Sequence, residues 1–169
     1  STFKANDTSK RWCGHIEIWC ALGWLHMSVT VEMATQASDE LVQAMQKLIP
    51  QLSSSNAPPS MKELNEVISS GSSVLFIARV ENQIVGSLTL ATFRIPTGIR
   101  AWIEDVVVDG SARGHGAGEA LNTAAIEEAR LRGAVTVDLT SRPSREAANR
   151  LYQRLGFVQR ETNVYRYDV

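Results

Sequence analysis

The stretch Ile103-Glu104-Asp105-Val106-Val107-Val108-Asp109-Gly110-Ser111-Ala112-Arg113-Gly114-His115-Gly116-Ala117-Gly118-Glu119-Ala120-Leu121 decides how this chain is read. An apolar run ending in three valines turns through Asp109-Gly110 and meets a glycine-rich segment that opens a helix. Unbroken valines predict a strand buried on both faces. Glycines at 114, 116 and 118 tolerate positive φ and let the backbone come close to a ligand. The N–H groups of a first helical turn have no intrahelical acceptor, and the helix dipole adds positive potential there. Together these make an anion site suited to phosphate or pyrophosphate. Arg113 adds a full charge and a bidentate donor.

Two common nucleotide loops do not fit. A Walker loop needs Lys-Ser or Lys-Thr after its last glycine, but Glu119-Ala120 follows Gly118. A dinucleotide fingerprint starting at Gly114 or Gly116 lacks its third glycine, so Asp138 is a decoy for the ribose acid. A glycine-rich turn with no ligand is the bland alternative.

Working outward, a helix is expected from about Gly116 to Arg132, stopped by Gly133. Val135 to Thr140 reads as an apolar strand. A capped helix, Arg145 to Leu155, follows Pro143 and Ser144 and ends at Gly156. Phe157-Val158 and Val164 to Tyr167 read as closing strands. Upstream, Val74 to Val80 and Ile84 to Phe93 form a hairpin through Glu81-Asn82-Gln83, and Ala101 to Val108 is a third strand. Residues 51–60 are polar and Pro-rich, hence a loop, with a short helix over Met61 to Ile68. Leu41, Met45, Leu48 and Ile49 recur at helical spacing until Pro50, where the helix should stop. Val29, Val31 and Met33 alternate with Thr30 and Glu32 as in a half-buried strand. The order predicts a mixed α/β (α+β-like) fold, a central mixed β-sheet flanked by helices. The segments 50–72 and 94–100 are read as loops that shape an acceptor pocket.

The 169 residues suffice for one domain with a substantial core. A net charge of −1 with no Lys/Arg run argues against a sequence-independent grip on nucleic acid. Residues 1–27 stand apart from the domain expected over 28–169. They hold Trp12, Trp19, Trp24, both cysteines (Cys13, Cys20), His15 and His26, without clear periodicity. They read as an extension, accessory or non-native, with an aromatic lid or a homodimer contact as the functional alternative. Their Cys/His spacing is unsuited to tetrahedral zinc, so no metal is expected. No apolar stretch is long enough to cross a bilayer, and no cleavable leader is evident, so no membrane partner and a cytoplasmic setting are expected.

Arg113, Gly116 and Gly118 after a hydrophobic strand match the cofactor motif of the GNAT superfamily of acetyltransferases, which this chain resembles. That family's second signature is a helical Tyr followed after three residues by Gly and an aromatic. Tyr152-Gln153-Arg154-Leu155-Gly156-Phe157 matches it. The resemblance implies a GNAT-type sheet and acetyl-CoA as co-substrate. It implies that the pyrophosphate would sit on the amides of Arg113, Gly114, His115, Gly116, Ala117 and Gly118. Main-chain groups of Val106, Val107 and Val108 would pair with the pantetheine arm as in strand addition and help polarise the thioester carbonyl. Asn149 would hydrogen-bond the cofactor arm. Many relatives carry that asparagine seven residues before the tyrosine, where this chain has Arg145; Arg145 or Arg142 could meet a CoA phosphate instead.

Acetyl transfer to an amine needs a neutral nitrogen and a proton for the departing thiolate. Tyr152 lies on the seam between Ala148, Leu151 and Leu155 and the polar side bearing Arg145 and Asn149, so its ring can pack while its hydroxyl reaches a cleft. It is the candidate acid; a core tyrosine is the alternative. Glu104 is the candidate base, against a solvated strand-edge carboxylate or a water chain, with Asp105 expected on the opposite face by alternation. His115 is expected to expose its side chain rather than take part in catalysis. The functional expectation is acetyl transfer from acetyl-CoA to a primary amine. The rival is a non-catalytic acyl-CoA sensor or docking module. Ile103 to Val108 also resembles the amino-sugar-phosphate acetyltransferase branch, although Arg142-Pro143-Ser144 departs from it.

Overall fold

A computed structural model describes residues 28–169. Expectations about residues 1–27 (the extension, its cysteines and histidines, the homodimer contact) lie outside the described residues. The chain divides into two units, one ending at Leu139 and one running from Thr140 to Val169.

In the first unit, β1 (Val29–Met33), β2 (Ser73–Val80), β3 (Gln83–Ile95), β4 (Gly98–Val108) and β5 (Ala134–Leu139) form one sheet in chain order. Four strands run antiparallel; β5 joins β4 in parallel after the crossover helix α3 (Ala117–Leu131). Such a mixed sheet results when hairpins need only tight turns while a parallel pair needs a helix to return the chain. The β2–β3 turn is the expected one. Glu81 and Asn82 both take positive φ, 49° and 66°, as a two-residue type I′ turn requires.

On one face, α1 (Asp39–Leu52) and α2 (Met61–Ser69) bring Leu41, Met45 and Leu64 onto Leu75 and Ile77. Ser38 caps α1, and Ser60 with Glu63 forms a reciprocal capping box on α2. On the other face α3 presents its alanines and Leu121, which is fully buried. Burying such a leucine contributes about 2 kcal/mol relative to leaving it in water.

Three boundaries differ from expectation. Pro50 does not stop α1, which continues to Leu52. Placed in the last turn, its missing N–H costs a single hydrogen bond, and the Ser53 N–H still closes the end on the Ile49 carbonyl at 2.9 Å. Residues 94–100 are mostly strand, with only Pro96-Thr97 left as the turn of a β3–β4 hairpin. In the second unit, α4 (Glu146–Arg154) forms as expected, but Arg145 rather than Ser144 is its N-cap. No strand forms among residues 157–169. Val158, Val164, Tyr165 and Tyr167 are all largely exposed. Strand-like composition sets a preference, and without a paired edge there is no ladder to realise it. No helix among the described residues is long and apolar enough to cross a membrane.

Candidate active site

The site begins where β4 departs from regular pairing. Thr89 of β3 faces Glu104, yet Ser87, two residues away, faces Val107, three residues away. One extra residue is therefore inserted in β4, a β-bulge. Asp105 absorbs it with φ of 51°. The bulge interrupts the alternation from which Asp105 was expected to face away from Glu104. Glu104 and Asp105 are both exposed, while Ile103 and Val107 are buried. Strand alternation fails because the inserted residue resets the pleat. The Val-Val-Val run is accordingly less enclosed than expected, with Val107 buried but Val106 and Val108 only partly so.

Gly86 makes the bulge sterically feasible. A Cβ there would lie 2.9 Å from the Val107 carbonyl oxygen and 3.2 Å from Leu121 Cδ1. No other residue fits without displacing β4 or α3.

On its far side, β4 pairs with β5 only from Ile99↔Ala134 to Ile103↔Leu139. Beyond Ile103 the two strands part, so Glu104 to Val108 have no β5 partner. The backbone of Val106, Val107 and Val108 thus borders a fork, presenting an edge to which an extended amide-bearing chain can add.

At the end of that edge the chain turns through a short 3₁₀ segment, Gly110–Ala112, and enters α3. Gly114 and Gly116 take φ of 82° and 83°, the left-handed region where glycine is favoured. Gly116 is the N-cap of α3 and makes no side-chain cap. Ala117 is buried and Gly118 partly so; Arg113, Gly114 and His115 are exposed. His115 Nδ1 lies 3.3 Å from the Ala112 carbonyl oxygen, a local contact. Deeper in the helix, the buried Asn122 donates from Nδ2 to the Gly118 carbonyl at 2.8 Å. The first turn of α3 thereby delivers main-chain amides and positive dipole next to the fork.

An unexpected brace fixes the start of this loop. Asp109, 5 % exposed, accepts from the Ser111 N–H at 3.0 Å and from Ser111 Oγ at 2.9 Å, and it pairs with Lys47 of α1. Gln51 Oε1, one turn on, accepts from the Gly110 N–H at 2.9 Å. Lys47 and the Ser111 donors hold the Asp109 carboxyl down at about 2. Sequence reading missed Lys47 and Gln51, because no local signal links a helix to a loop about 60 residues later.

Glu104 receives a hydrogen bond from Trp102 Nε1 to Oε1 at 2.7 Å. Nearby, Arg100 Nη1 donates to Thr136 Oγ1 at 2.9 Å, and that hydroxyl lies 3.1 Å from Asp138 Oδ2. Asp138 is therefore a β5 residue directly opposite Trp102.

In the second unit, Tyr152 is partly buried on α4 and its ring meets Phe157 edge-on, centroids 5.9 Å apart at 72°. Burial pushes its phenol above the ordinary tyrosine range, and Arg145 pulls it partly back. Asn149 donates from Nδ2 to the Arg142 carbonyl at 3.1 Å, fastening the entry to α4.

This combination of an extended bulged strand, glycine turn and helix N-terminus is matched at the level of sequence as well. A model of the acetyltransferase (GNAT) family matches residues 41–157. The chain belongs to the GNAT family. Solved structures agree on the architecture of this GNAT domain. An aminoglycoside acetyltransferase from an uncultured soil metagenomic sample, in complex with trehalose, is 21% identical, with 83% of this chain and 95% of that one covered at a TM-score of 0.72. A Trypanosoma brucei acetyltransferase is 26% identical, with coverage of 84% and 100% and a TM-score of 0.68. The aminoglycoside N-acetyltransferase AAC(6')-Iy, in complex with CoA, is 15% identical, with coverage of 89% and 99% and a TM-score of 0.70. No curated protein matches the sequence.

Proposed function

We propose that this GNAT domain transfers the acetyl group of acetyl-CoA to a primary amine by direct attack in a ternary complex. The observation that carries the reading is the coincidence of two binding features. The unpaired edge of Glu104 to Val108 ends where Gly114 and Gly116 turn the chain into α3. An amide-bearing arm laid along the first would bring a diphosphate to the second.

In this reading the amides from Arg113 to Gly118 hold the pyrophosphate, with the Arg113 side chain adding charge. Main-chain groups of Val106 to Val108 hold the pantetheine arm and orient a donor toward the thioester oxygen, where negative charge develops. Glu104 takes a proton from the acceptor ammonium, leaving a neutral nitrogen. The nitrogen lone pair forms the new C–N bond at the acetyl carbon as the C–S bond breaks. The nitrogen, cationic after attack, loses its second proton to solvent, while Tyr152 gives its phenolic proton to the thiolate and is reprotonated from solvent. The phenol holds that proton at neutral pH as any tyrosine does, and burial pushes its pKa further up. Arg142 or Arg145 is the further candidate for a CoA phosphate.

The relatives called aminoglycoside acetyltransferases make small polycationic amines the first acceptors to try. The test is thiol release from acetyl-CoA with sisomicin, a polyamine, a lysine peptide and an amino-sugar phosphate. Release with one of these, slowed in Tyr152→Phe, supports the proposal. Tight acetyl-CoA binding without release across that panel would instead favour a non-catalytic sensor.

A further inference from the structure

We infer that Trp102 is a positioning residue for the carboxylate of Glu104, an inference that rests on the base role proposed for Glu104 above. The two side chains are i and i+2 on β4 and share the sheet face away from α3. Their β3 partners, Ala91 and Thr89, also alternate on one face. Across the sheet Trp102 is flanked by Ala91 of β3 and Asp138 of β5. Trp102 is partly buried there, whereas Glu104 is exposed.

An exposed glutamate has three side-chain torsions, and fixing them costs on the order of 1–2 kcal/mol in rotamer entropy. Nothing in regular β-structure would hold Glu104 at the fork, because Asp105 beside it breaks the pleat. The 2.7 Å bond from Trp102 Nε1 to Oε1 supplies that restraint. The chemistry of the donor matters. An arginine or lysine partner would neutralise the carboxylate and compete with an incoming ammonium. An indole N–H donates a single hydrogen bond, carries no charge and cannot accept a proton. It therefore fixes one oxygen and leaves the second, Oε2, with its negative charge for the acceptor. No other partner is found for Glu104 among the described residues.

A double-mutant cycle tests this, using acetyl-CoA and the panel amine that is turned over fastest. Trp102→Phe keeps an aromatic ring and deletes the donor. It should lower kcat about tenfold while leaving the acetyl-CoA KM unchanged. In the Glu104→Gln background the same change should cost less than about twofold, since residues acting through one another are not additive. A full tenfold loss in both backgrounds would overturn the positioning role while leaving the base role standing. Glu104→Gln with wild-type activity would overturn both. A second readout needs neither turnover nor a Trp102 variant. The Trp102 indole N–H resonance should move markedly between wild type and Glu104→Ala, which removes the acceptor, and an unmoved resonance would refute the bond.

Discussion

Replacing Asp109 by Asn would remove one negative charge from the brace between α1 and the β4–α3 loop while keeping an oxygen able to accept from the Ser111 N–H. The magnitude follows from the carboxyl's surroundings. Its pKa falls from the usual 3.8 to about 2, chiefly through Lys47, with the Ser111 donors assisting. Such a gap corresponds to roughly 2 kcal/mol of folding free energy. Lys47 is 65% exposed, however, against 7% for Asp109, so solvent screens the pair from one side. The surviving hydrogen bond to Asn reduces the loss further, leaving about 1 kcal/mol. Because the folded pKa lies below the unfolded value, the stabilisation is complete above about pH 5. It is lost as pH falls through 3.8 toward 2. Urea titrations of wild type and Asp109→Asn at pH 7, 5 and 3 should show the difference shrink only at the lowest pH. A difference that persists undiminished at pH 3, or is absent at pH 7, would refute this reasoning. Calorimetry on the same variant should show weaker acetyl-CoA binding by a few-fold, since Asp109 and Gly110 lead into the loop proposed to hold the pyrophosphate.

Gly86→Ala should destabilise the fold by about 1–3 kcal/mol in thermal or urea unfolding, because its Cβ would collide with the Val107 carbonyl and Leu121. Arg113→Ala should weaken CoA binding about tenfold and flatten its salt dependence, measured by calorimetry at two ionic strengths. Tyr152→Phe should lower kcat by about 10²-fold without changing the acetyl-CoA KM, and steady-state kinetics separates the two.

The elements that could be read from sequence are those with local causes. Ile103 to Leu121 announces a strand, a glycine turn and a helix because each step has its own residue chemistry. Glu81-Asn82 marks a hairpin because Asn82 is a residue that tolerates positive φ between two strand-like runs. The bulge at Asp105 has no such mark. It is set by pairing with Ser87 and Thr89 and by the space Gly86 leaves, all about 20 residues away. The Lys47–Asp109 and Gln51–Gly110 contacts are likewise tertiary, and no window along the chain contains both partners. The Trp102–Glu104 bond was within reach, since alternation puts both on one face, but only the structure brings the indole N–H onto the carboxylate. The tail after Gly156 shows the reverse error. Its β-branched and aromatic residues suggest strands, yet no ladder forms there.

Amide hydrogen exchange with and without acetyl-CoA reads directly whether the main chain from Val106 to Gly118 holds coenzyme A. Exchange should slow in residues 106–118, with β1 and the β2–β3 turn unaffected. Unchanged exchange across 106–118 at saturating acetyl-CoA, or protection confined to another part of the sheet, would contradict that placement.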